Sequence, residues 1–439
     1  MSYKDMYGTY VEQIPLDIET CIKSGNSHVF GYTSDLDVII NWETATFNSI
    51  LDKYLKEEPS AKEGEIIGSM EDFARIVSYY AIKGIGGEVD VSSLEVCEFL
   101  EKNFKTTFAL GGTCAQGAAA LNAIGFPVIA HITDKSKEVC NLINSSSFYL
   151  VDENGLKAIN ELNTSDIPVR HMILQYSKGD KIVANGKEYF VPESNRVIID
   201  YDKIHKYVPI DKYFLDYCEN NAQKIYSYNI SGFNAIIDES ILIERLDMLS
   251  RHYNVIKTNN PKSVLYLESA HYINTKCKLT VFDKLSTCID ILGMNEEELV
   301  DLTGQLGYKT DKENLSSVIN GLDILIEKYR LNGIVMHTKD YSMYYGNKFN
   351  AVDIEKGLTL GNLMSGTRAR TGRYGSYDDC IESLSLDLSP IGIDFANQLS
   401  KMSLRRSAYL VPSRYMEHPN CTIGLGDTFT AGMQICFTR

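Results

Sequence analysis

The sequence lacks the features that mark membrane-spanning, secreted or zinc-binding proteins. None of its apolar runs approaches the ~18 residues of a membrane-spanning helix, and its N-terminal stretch has no apolar signal core. The chain of 439 residues contains ten cysteines, but no two of them form a C-x-x-C pair. We therefore expect free, mostly buried thiols in a cytoplasmic protein.

Basic residues are also in short supply. Lys and Arg number 43 against 58 Asp and Glu, which gives a formal net charge of −15. Such an acidic chain is a poor partner for nucleic acid or an anionic membrane, although a few backbone amides can still hold a small anion. We expect small-molecule partners only, in a monomer or small homo-oligomer.

The order of apolar and polar runs predicts an α/β fold. Strand-like runs such as SVLYLES and GIVMHT alternate with helical ones, and residues 108–132 read as strand, Gly-Gly turn, helix and strand. This alternation is typical of a doubly wound sheet with helices on both faces. Residues 43–107 read as amphipathic helices. Residues 168–201 alternate apolar and polar around Asn185–Gly186, which predicts antiparallel hairpins.

The two unusual stretches predict a second, smaller α+β domain that acts as a lid. We assign residues 38–107 and 168–210 to this discontinuous lid. The large α/β nucleotide-binding body then comprises residues 1–37, 108–167 and 211–439.

The most site-like segment lies near the C-terminus, in NCTIGLGDTFTAG at residues 420–432. Gly424, Leu425 and Gly426 can direct backbone N–H groups at an anion, and a following helix N-terminus adds positive charge. Asp427 is then placed to accept a proton from an attacking hydroxyl. The alternative interpretation is an ordinary glycine turn with Asp427 as a helix cap.

Two segments in the middle of the chain carry groups that suit a magnesium ion. Asn295 and Glu298, in ILGMNEEELVDLTG, share one helix face and are able to orient Mg²⁺ and its waters. The same spacing also describes a capping box. Tyr266 and Glu268, in SVLYLESAH, project together from a strand. Here the alternative is a buried strand with a solvated Glu at its end.

Earlier segments carry groups that suit a sugar. Asp37 follows the first strand, and a carboxylate accepts two hydroxyl hydrogen bonds at once. In GGTCAQG, Gly112 lets a sugar lie against bare backbone, and Gln116 is a hydrogen-bonding candidate. The alternatives are exposed carboxylates at a strand end and close packing by small residues.

Three arginines follow in SGTRARTGRYG, at positions 368, 370 and 373. Helical spacing puts Arg370 and Arg373 on one side, where they would face a nucleotide phosphate or a phosphorylated sugar. A solvated helix end with cations near its C-terminus is the alternative.

Together these segments resemble the ADP-dependent glucokinase and phosphofructokinase family of ribokinase-like sugar kinases. Residues 411–432 resemble its C-terminal signature, Asn295 to Glu298 its N-x-x-E motif, and ESNRVIID at 193–200 its A-N-R-F-I stretch. Two positions depart from the pattern. Tyr266 replaces the His of the family's H-x-E motif, and Asp35 replaces the Asn of its N-x-D motif.

The resemblance implies a ribokinase-like fold and a sugar kinase that uses Mg²⁺ and converts ADP to AMP. It implies that Asp427 is the general base beside a phosphoryl cradle formed by residues 424–426. It also implies a glucose-like hexose as acceptor, because Glu88 occurs in the glucokinase branch. The implied metal residues are Glu268, Asn295 and Glu298, and the implied sugar contacts are Asp37, Glu88, Gly112, Gln116 and His171.

Two other functions remain open. An ATP-dependent ribokinase-like kinase of a nucleoside, polyol or sugar phosphate is favoured by Tyr266 and by the arginine cluster. A non-catalytic sugar- or nucleotide-binding relative is opposed by Asp427 and by the two glutamates on the metal side, because a binding module has no need of a base.

Overall fold

The computed structural model describes residues 2–62, 64–164, 166–272 and 274–439. The first part of the chain contains α1 (Tyr3–Val11), α2 (Ile14–Ser24), β1 (Ser27–Gly31), β2 (Asp35–Ile40), α3 (Thr44–Tyr54), α4 (Met70–Lys83), β3 (Gly87–Asp90), α5 (Leu94–Asn103), β4 (Thr106–Gly111), α6 (Thr113–Ala123), β5 (Val128–Ala130), α7 (Lys137–Ile143), β6 (Phe148–Asp152), β7 (Gly155–Ala158), β8 (Arg170–Tyr176), β9 (Lys181–Ala184), β10 (Lys187–Phe190) and β11 (Asn195–Tyr201). The second part contains α8 (Lys212–Asn220), β12 (Ile225–Ile230), α9 (Glu239–Asn259), β13 (Val264–Glu268), α10 (Thr275–Leu285), β14 (Ile291–Asn295), α11 (Glu296–Gln305), α12 (Leu315–Tyr329), β15 (Gly333–His337), β16 (Tyr341–Gly346), α13 (Ile354–Thr371), α14 (Tyr377–Ser383), α15 (Pro390–Leu399), β17 (Ser407–Pro412) and α16 (Leu425–Gln434). Short 3₁₀ turns occupy Ile159–Glu161, Ala222–Lys224 and Ile435–Phe437.

Ten of the described strands form one large sheet, in the order β17-β16-β15-β14-β13-β12-β1-β5-β6-β7. The strands from β15 to β6 in this order are parallel, and β16, β17 and β7 are antiparallel additions at the edges. Parallel sheets need helices on both faces, because each strand buries both of its sides. The predicted doubly wound α/β body is therefore confirmed.

Helices bury the two faces of this sheet in separate clusters. Phe30 and Tyr266 lie in one cluster with buried side chains of α13 and α16. Val29 and Leu265 lie in the other, with buried side chains of α9 and α12. Neighbouring residues of a strand point to opposite faces, so each central strand contributes to both clusters.

Glycines let α16 approach α13 closely. A Cβ placed on Gly432 would lie 2.6 Å from the carbonyl oxygen of Leu360, and one placed on Gly361 would lie 2.7 Å from the ring of Phe429. The missing side chains allow the two backbones to pack directly against each other. The first turn of α16, which carries Asp427, is therefore held by tightly packed helices.

A second sheet has five strands, in the order β3-β11-β8-β2-β4. Leu36 and Val38 of β2 lie in one buried cluster with Phe47 of α3 and Phe73 of α4. A separate hairpin pairs β9 with β10. Its turn at Asn185–Gly186 has positive φ at both residues, as predicted for the Asn-Gly turn.

Two sequence-based expectations about this region are wrong. Residues 43–107 are not helical throughout, because β3 lies among them and pairs with β11. Residues 108–132 do run strand, helix, strand, but β4 belongs to the small sheet and β5 to the large one. The periodicity of a segment predicts the type of element, whereas sheet membership depends on partners distant in sequence.

The small sheet extends past the predicted lid boundaries. Strand β2 begins at Asp35, and strand β4 ends at Gly111. The predicted lid boundaries lie between residues 37 and 38 and between residues 107 and 108. Gly112, with a φ of 87°, turns the chain from this sheet into α6. The division into a body of 1–37, 108–167 and 211–439 and a lid stays a prediction.

The cysteines match a further expectation. All ten cysteines lie in the described part of the chain and are unpaired, and nine of them are buried. Among the described helices, none is both long enough and apolar enough to cross a membrane.

Candidate active site

The predicted phosphoryl cradle forms the start of α16. Gly424 is the N-cap residue and has a φ of 68°, in the left-handed region that glycine adopts without strain. Leu425, Gly426 and Asp427 form the first helical turn, whose backbone N–H groups have no partner within the helix. The alternative interpretation of Asp427 as a helix cap is wrong, because no side chain caps this helix.

Asp427 has an electrostatic environment suited to proton transfer. Burial, followed by the nearby charge of Glu268, raises its pKa to about 7, while Arg368 and His337 act in the opposite direction. A general base works best when its pKa lies near the operating pH. The Asp427 carboxyl therefore has the acidity that a base at neutral pH requires.

Three polar side chains lie at the carboxyl ends of neighbouring parallel strands. Glu268 ends β13, Asn295 ends β14 and His337 ends β15, and the last two are aligned in register. Ligands of open α/β sheets bind at this edge. Gly293 lies beside Glu268 on the next strand, and a Cβ there would collide with the Glu268 carboxylate and the Tyr266 hydroxyl.

Hydrogen bonds fix the Glu268 carboxylate. Its Oε1 lies 2.8 Å from Nε2 of His337, and its Oε2 accepts a hydrogen bond of 3.1 Å from the Thr430 hydroxyl. Burial lowers the pKa of His337, but the charge and hydrogen bond of Glu268, together with the charges of neighbouring glutamates, outweigh it and the net shift is upward. Tyr266 is fully buried beside Glu268. Glu268 thus has an imidazole partner, supplied by position 337 rather than by position 266.

Asn295 and Glu298 form a capping box at the start of α11, which was one of the two interpretations of their spacing. Asn295 Oδ1 accepts from the Glu298 N–H at 2.9 Å, and Glu298 Oε2 accepts from the Asn295 N–H at 3.0 Å. Burial raises the pKa of Glu298 to about 7, and the charge of Glu268 contributes next. The buried Glu268 and the half-buried Glu298 offer carboxylate oxygens, a donor set that fits a hard cation such as Mg²⁺.

The sugar-side candidates share one face of the small sheet. Asp37 of β2, His171 of β8 and Asp200 of β11 are directly aligned across neighbouring strands. Asp35 lies two residues before Asp37, and Glu88 lies beside Ile198, two residues before Asp200, so both point to this same face. The structure therefore brings Asp37, Glu88 and His171 to one surface.

His171 lies among three carboxylates. Its Nδ1 is 3.1 Å from Asp35 Oδ1, and its Nε2 is 3.9 Å from Asp200 Oδ1 and 3.7 Å from Asp202 Oδ2. Burial opposes protonation, yet these charges raise the pKa of His171 well above its usual value. Burial and the Asp35 charge raise the pKa of Asp37 to about 7, and His171 partly offsets them. A cationic imidazole thus balances part of an acidic surface.

A second histidine connects this surface to the large sheet. His205 Nδ1 lies 2.9 Å from Asp202 Oδ2, and its Nε2 lies 2.7 Å from the Thr133 hydroxyl and 3.1 Å from the Ser34 carbonyl oxygen. Thr133 follows β5 of the large sheet, whereas Asp202 follows β11 of the small one. These contacts tie the sugar-side strands to the body.

Gln116 lies on the body side of the site, on α6. Its Oε1 accepts a hydrogen bond of 2.9 Å from Nη2 of Arg368, and Nε of the same arginine donates to the carbonyl oxygen of Ile423 at 3.0 Å. Arg368 thus contacts both the sugar-side helix and the residue that precedes Gly424.

The other two arginines of this segment have different partners. Arg370 Nε donates to the Ser383 hydroxyl at 2.9 Å, and Arg373 Nη2 donates to Asp379 at 3.0 Å. Both partners belong to α14. Arg370 and Arg373 therefore contact α14, and the arginine beside the phosphoryl cradle is Arg368.

Comparison with known proteins identifies the family. Residues 26–435 match the model of the ADP-specific phosphofructokinase/glucokinase conserved region. The chain belongs to the ADP-dependent phosphofructokinase/glucokinase family. An ADP-dependent glucose/glucosamine kinase of Pyrococcus abyssi is 22% identical, with 98% of both chains covered. An ADP-specific phosphofructokinase of the same organism is 21% identical, with 93% of this chain and 96% of the relative covered.

A solved structure supports the fold of this family member. The structure is that of the last common ancestor of ADP-dependent phosphofructokinases from Methanosarcinales. It superposes on this chain with a TM-score of 0.82 and 20% sequence identity, and the match covers 100% of this chain and 99% of the ancestor. The implied family, the α/β fold and the class of ADP-dependent sugar phosphotransferases are confirmed.

Sequence reasoning missed several residues at the site of this ADP-dependent kinase. His337 stands at the end of an apolar run, GIVMHT, parallel to the strands that end in Glu268 and Asn295, so alignment of strand ends would have predicted it. Asp200 and Asp202 follow the apolar run of β11 in the same way. Thr430 has no comparable signal because its partner Glu268 is distant in sequence, and the same holds for the contact of His205 with Thr133.

Proposed function

We propose that this protein transfers a phosphoryl group from ADP to a hydroxyl of a glucose-like hexose and releases AMP. The observation that carries the proposal is the position of Asp427. It lies half-buried on the first turn of α16, close enough for electrostatic coupling to Glu268, His337 and Asp35. A general base for phosphoryl transfer belongs beside the acceptor hydroxyl, near the place where the metal-bound phosphate is held.

In the proposed mechanism, Asp427 accepts the proton of the acceptor hydroxyl as the phosphoryl group moves. The free N–H groups of Leu425, Gly426 and Asp427, together with the helix N-terminus, stabilise negative charge on the phosphoryl oxygens. Gly424 places these groups by adopting its left-handed conformation. The chain thereby supplies both a proton acceptor and an anion-stabilising surface.

Glu268 and Glu298 are the residues that would hold Mg²⁺, with Asn295 beside them. Mg²⁺ bound there would neutralise charge on the phosphates of ADP, largely through its own waters. His337 and Thr430 keep the Glu268 carboxylate in one orientation. Such hydrogen bonds to a metal-binding carboxylate are part of the site, because they reduce the disorder of the ligand.

The charge of the small sheet favours an uncharged hexose over a hexose phosphate. Glu88, Asp200 and Asp37 lie on the proposed sugar-binding face, and His171 is its aligned cation. Carboxylates accept hydrogen bonds from vicinal hydroxyls and repel a phosphate. An acidic face with one such imidazole therefore supports glucose, or a related hexose, as the acceptor.

Two alternatives become outcomes of one assay. Purified protein with Mg²⁺ is incubated with ADP or ATP and with glucose, glucosamine or fructose 6-phosphate, and AMP and ADP are quantified. We expect AMP only when ADP and a hexose are both present. If fructose 6-phosphate is the one acceptor that is phosphorylated, the choice of sugar is wrong. If ATP is the one nucleotide that serves as donor, the choice of donor is wrong.

The Asp427→Asn variant tests the proposed base. It keeps the shape of the side chain and should lower kcat by about 10²- to 10⁴-fold, the usual contribution of general base catalysis. Its thermal unfolding temperature should equal or slightly exceed that of the unmodified protein, since the substitution removes a charge that the folded state disfavours and no capping bond. Near-normal turnover would contradict the assignment of Asp427.

A further inference from the structure

Among the described hydrogen bonds, Arg368 is the one side chain that joins the sugar-side helix to the residue directly preceding the phosphoryl cradle. Its Nη2 donates to Gln116 Oε1 on α6 at 2.9 Å, and its Nε donates to the Ile423 carbonyl oxygen at 3.0 Å. Gln116 and Ile423 are separated by more than two-thirds of the chain. One guanidinium therefore joins two parts of the site that no local structure connects.

The space around this guanidinium is tightly filled. Arg368 is 6% exposed, and its guanidinium carbon lies 4.2 Å from the ring centre of Tyr374. The Tyr374 hydroxyl also donates to Gln116 Oε1, at 3.4 Å. A Cβ at Gly424 would collide with Gln116 Oε1 and would lie 2.7 Å from Arg368 Nη2. The cradle residue, the arginine and the glutamine thus pack in direct contact.

The two hydrogen bonds of Arg368 come from different nitrogen atoms of one rigid, planar guanidinium group. A planar guanidinium donates from Nε and Nη in fixed directions, whereas a lysine ammonium is a single point of charge on a flexible stem. Lysine at this position keeps the positive charge but cannot reach Gln116 and Ile423 together. This difference separates the geometric role of Arg368 from its charge.

We propose that Arg368 is a positioning residue that locks Gln116 to the phosphoryl cradle, so that the bound sugar and the transferred phosphoryl group keep a fixed relative position. The sugar part of this inference rests on the proposed function and on the sugar contact that the family resemblance implies for Gln116. The lock itself is a property of the chain alone. A small displacement of reacting groups is costly because catalysis depends on near-attack geometry.

Hydrogen exchange measured by mass spectrometry tests the lock without any substrate. Arg368→Lys should speed amide exchange in residues 421–428 about 2- to 10-fold, as expected for the loss of one or two hydrogen bonds. Arg370→Lys is the matched control, because Arg370 is on the same helix and its side chain contacts α14. Equal exchange of residues 421–428 in the two variants would overturn the proposal.

Kinetics with ADP and glucose then test the connection to Gln116. We expect Arg368→Lys to raise the KM for glucose about tenfold and to lower kcat. In a Gln116→Ala background the same substitution should change KM less than about twofold, because the group that it positions is gone. Additive effects on KM would overturn the role assigned to Gln116.

The two levels of the inference fail separately. If the unmodified protein forms no AMP from ADP and glucose, the proposed function is wrong, while the exchange experiment still decides whether Arg368 locks the cradle. If AMP forms but Arg368→Lys behaves like Arg370→Lys in both measurements, the positioning role is wrong and the proposed function stands.

Discussion

At the scale of single residues, the site is governed by carboxyl groups whose acidity is altered by burial. Asp427 on the body and Asp37 on the small sheet both have a pKa raised to about 7, and in each case burial is the largest cause. The charge of Asp427 also contributes to the raised pKa of Asp37. The residue types were readable from sequence, but the degree of burial was not.

These two shifts predict the pH dependence of kcat/KM. Asp427 must be deprotonated to act as base, and Asp37 must be deprotonated to accept two sugar hydroxyl hydrogen bonds. Because both pKa values are raised, the active form is present above pH 7 and is lost as the pH falls through about 7. The acid limb of log kcat/KM should therefore lie near pH 7 and approach a slope of two.

The Asp37→Asn variant is the control for this profile. It removes one of the two titrating groups, so the limb should keep its position near pH 7 or shift slightly downward while its slope falls to one. A limb near pH 4, the usual range of an aspartate, would contradict the environment described for Asp427.

At the scale of elements, the site depends on how closely α16 packs against α13. Sequence analysis predicted a helix after Gly424, and that helix is present. It did not predict that α16 would cross α13 at Gly361 and Gly432, because the crossing joins segments separated by about seventy residues of chain whose contact leaves no periodic signal. In the sequence, the glycine of TFTAG has no evident reason. The helix crossing supplies one, because Gly432 lies directly against the backbone of α13.

Gly432→Ala tests this packing. The new Cβ would lie 2.6 Å from the Leu360 carbonyl oxygen, a backbone atom that cannot swing away. We expect a loss of about 1–3 kcal/mol in the free energy of unfolding, the usual cost of overpacking a buried site. Urea unfolding followed by circular dichroism measures this change.

Gly304→Ala is the matched control. Gly304 lies in the exposed part of α11, with nothing within 4 Å of an added Cβ. Alanine should there raise stability slightly, by up to about 1 kcal/mol, through its higher helix propensity. Equal losses for both variants would show that the α13–α16 contact is not specially tight.

At the scale of the whole molecule, the residues proposed to surround the sugar come from both layers of the protein, the small sheet and the helices that cover the large sheet. Asp37, Glu88 and His171 lie on the small sheet, whereas Gln116 and Asp427 lie on helices of the large one. In our proposal the sugar is therefore held between a lid and a body. Closing a lid over bound substrates excludes water and suppresses wasteful hydrolysis of the nucleotide.

This arrangement predicts that the lid responds to both substrates together. With the Asp427→Asn variant, which prevents turnover, glucose and Mg²⁺–ADP should lower the radius of gyration measured by small-angle X-ray scattering. Amide exchange in β8 and β11 should slow in the same samples. Either substrate alone serves as the control, and an unchanged radius with both present would contradict lid closure.

The sequence by itself determined the chemistry of the site and the order of its elements. The glycine turn before Asp427, the N-x-x-E segment, the Asn-Gly hairpin and the alternation of strands and helices are local patterns, and local patterns follow from the spacing of residue types along the chain. These patterns were sufficient to indicate the family, its α/β fold and its class of reaction.

Only the tertiary structure decided which of these residues meet. It paired His337 with Glu268, directed Arg368 rather than Arg370 to the phosphoryl cradle, and placed β4 in the small sheet. Each of these outcomes depends on sheet register or helix crossing between distant segments. Such contacts are selected by packing and burial of the whole chain, and neither is encoded in the spacing of neighbouring residues.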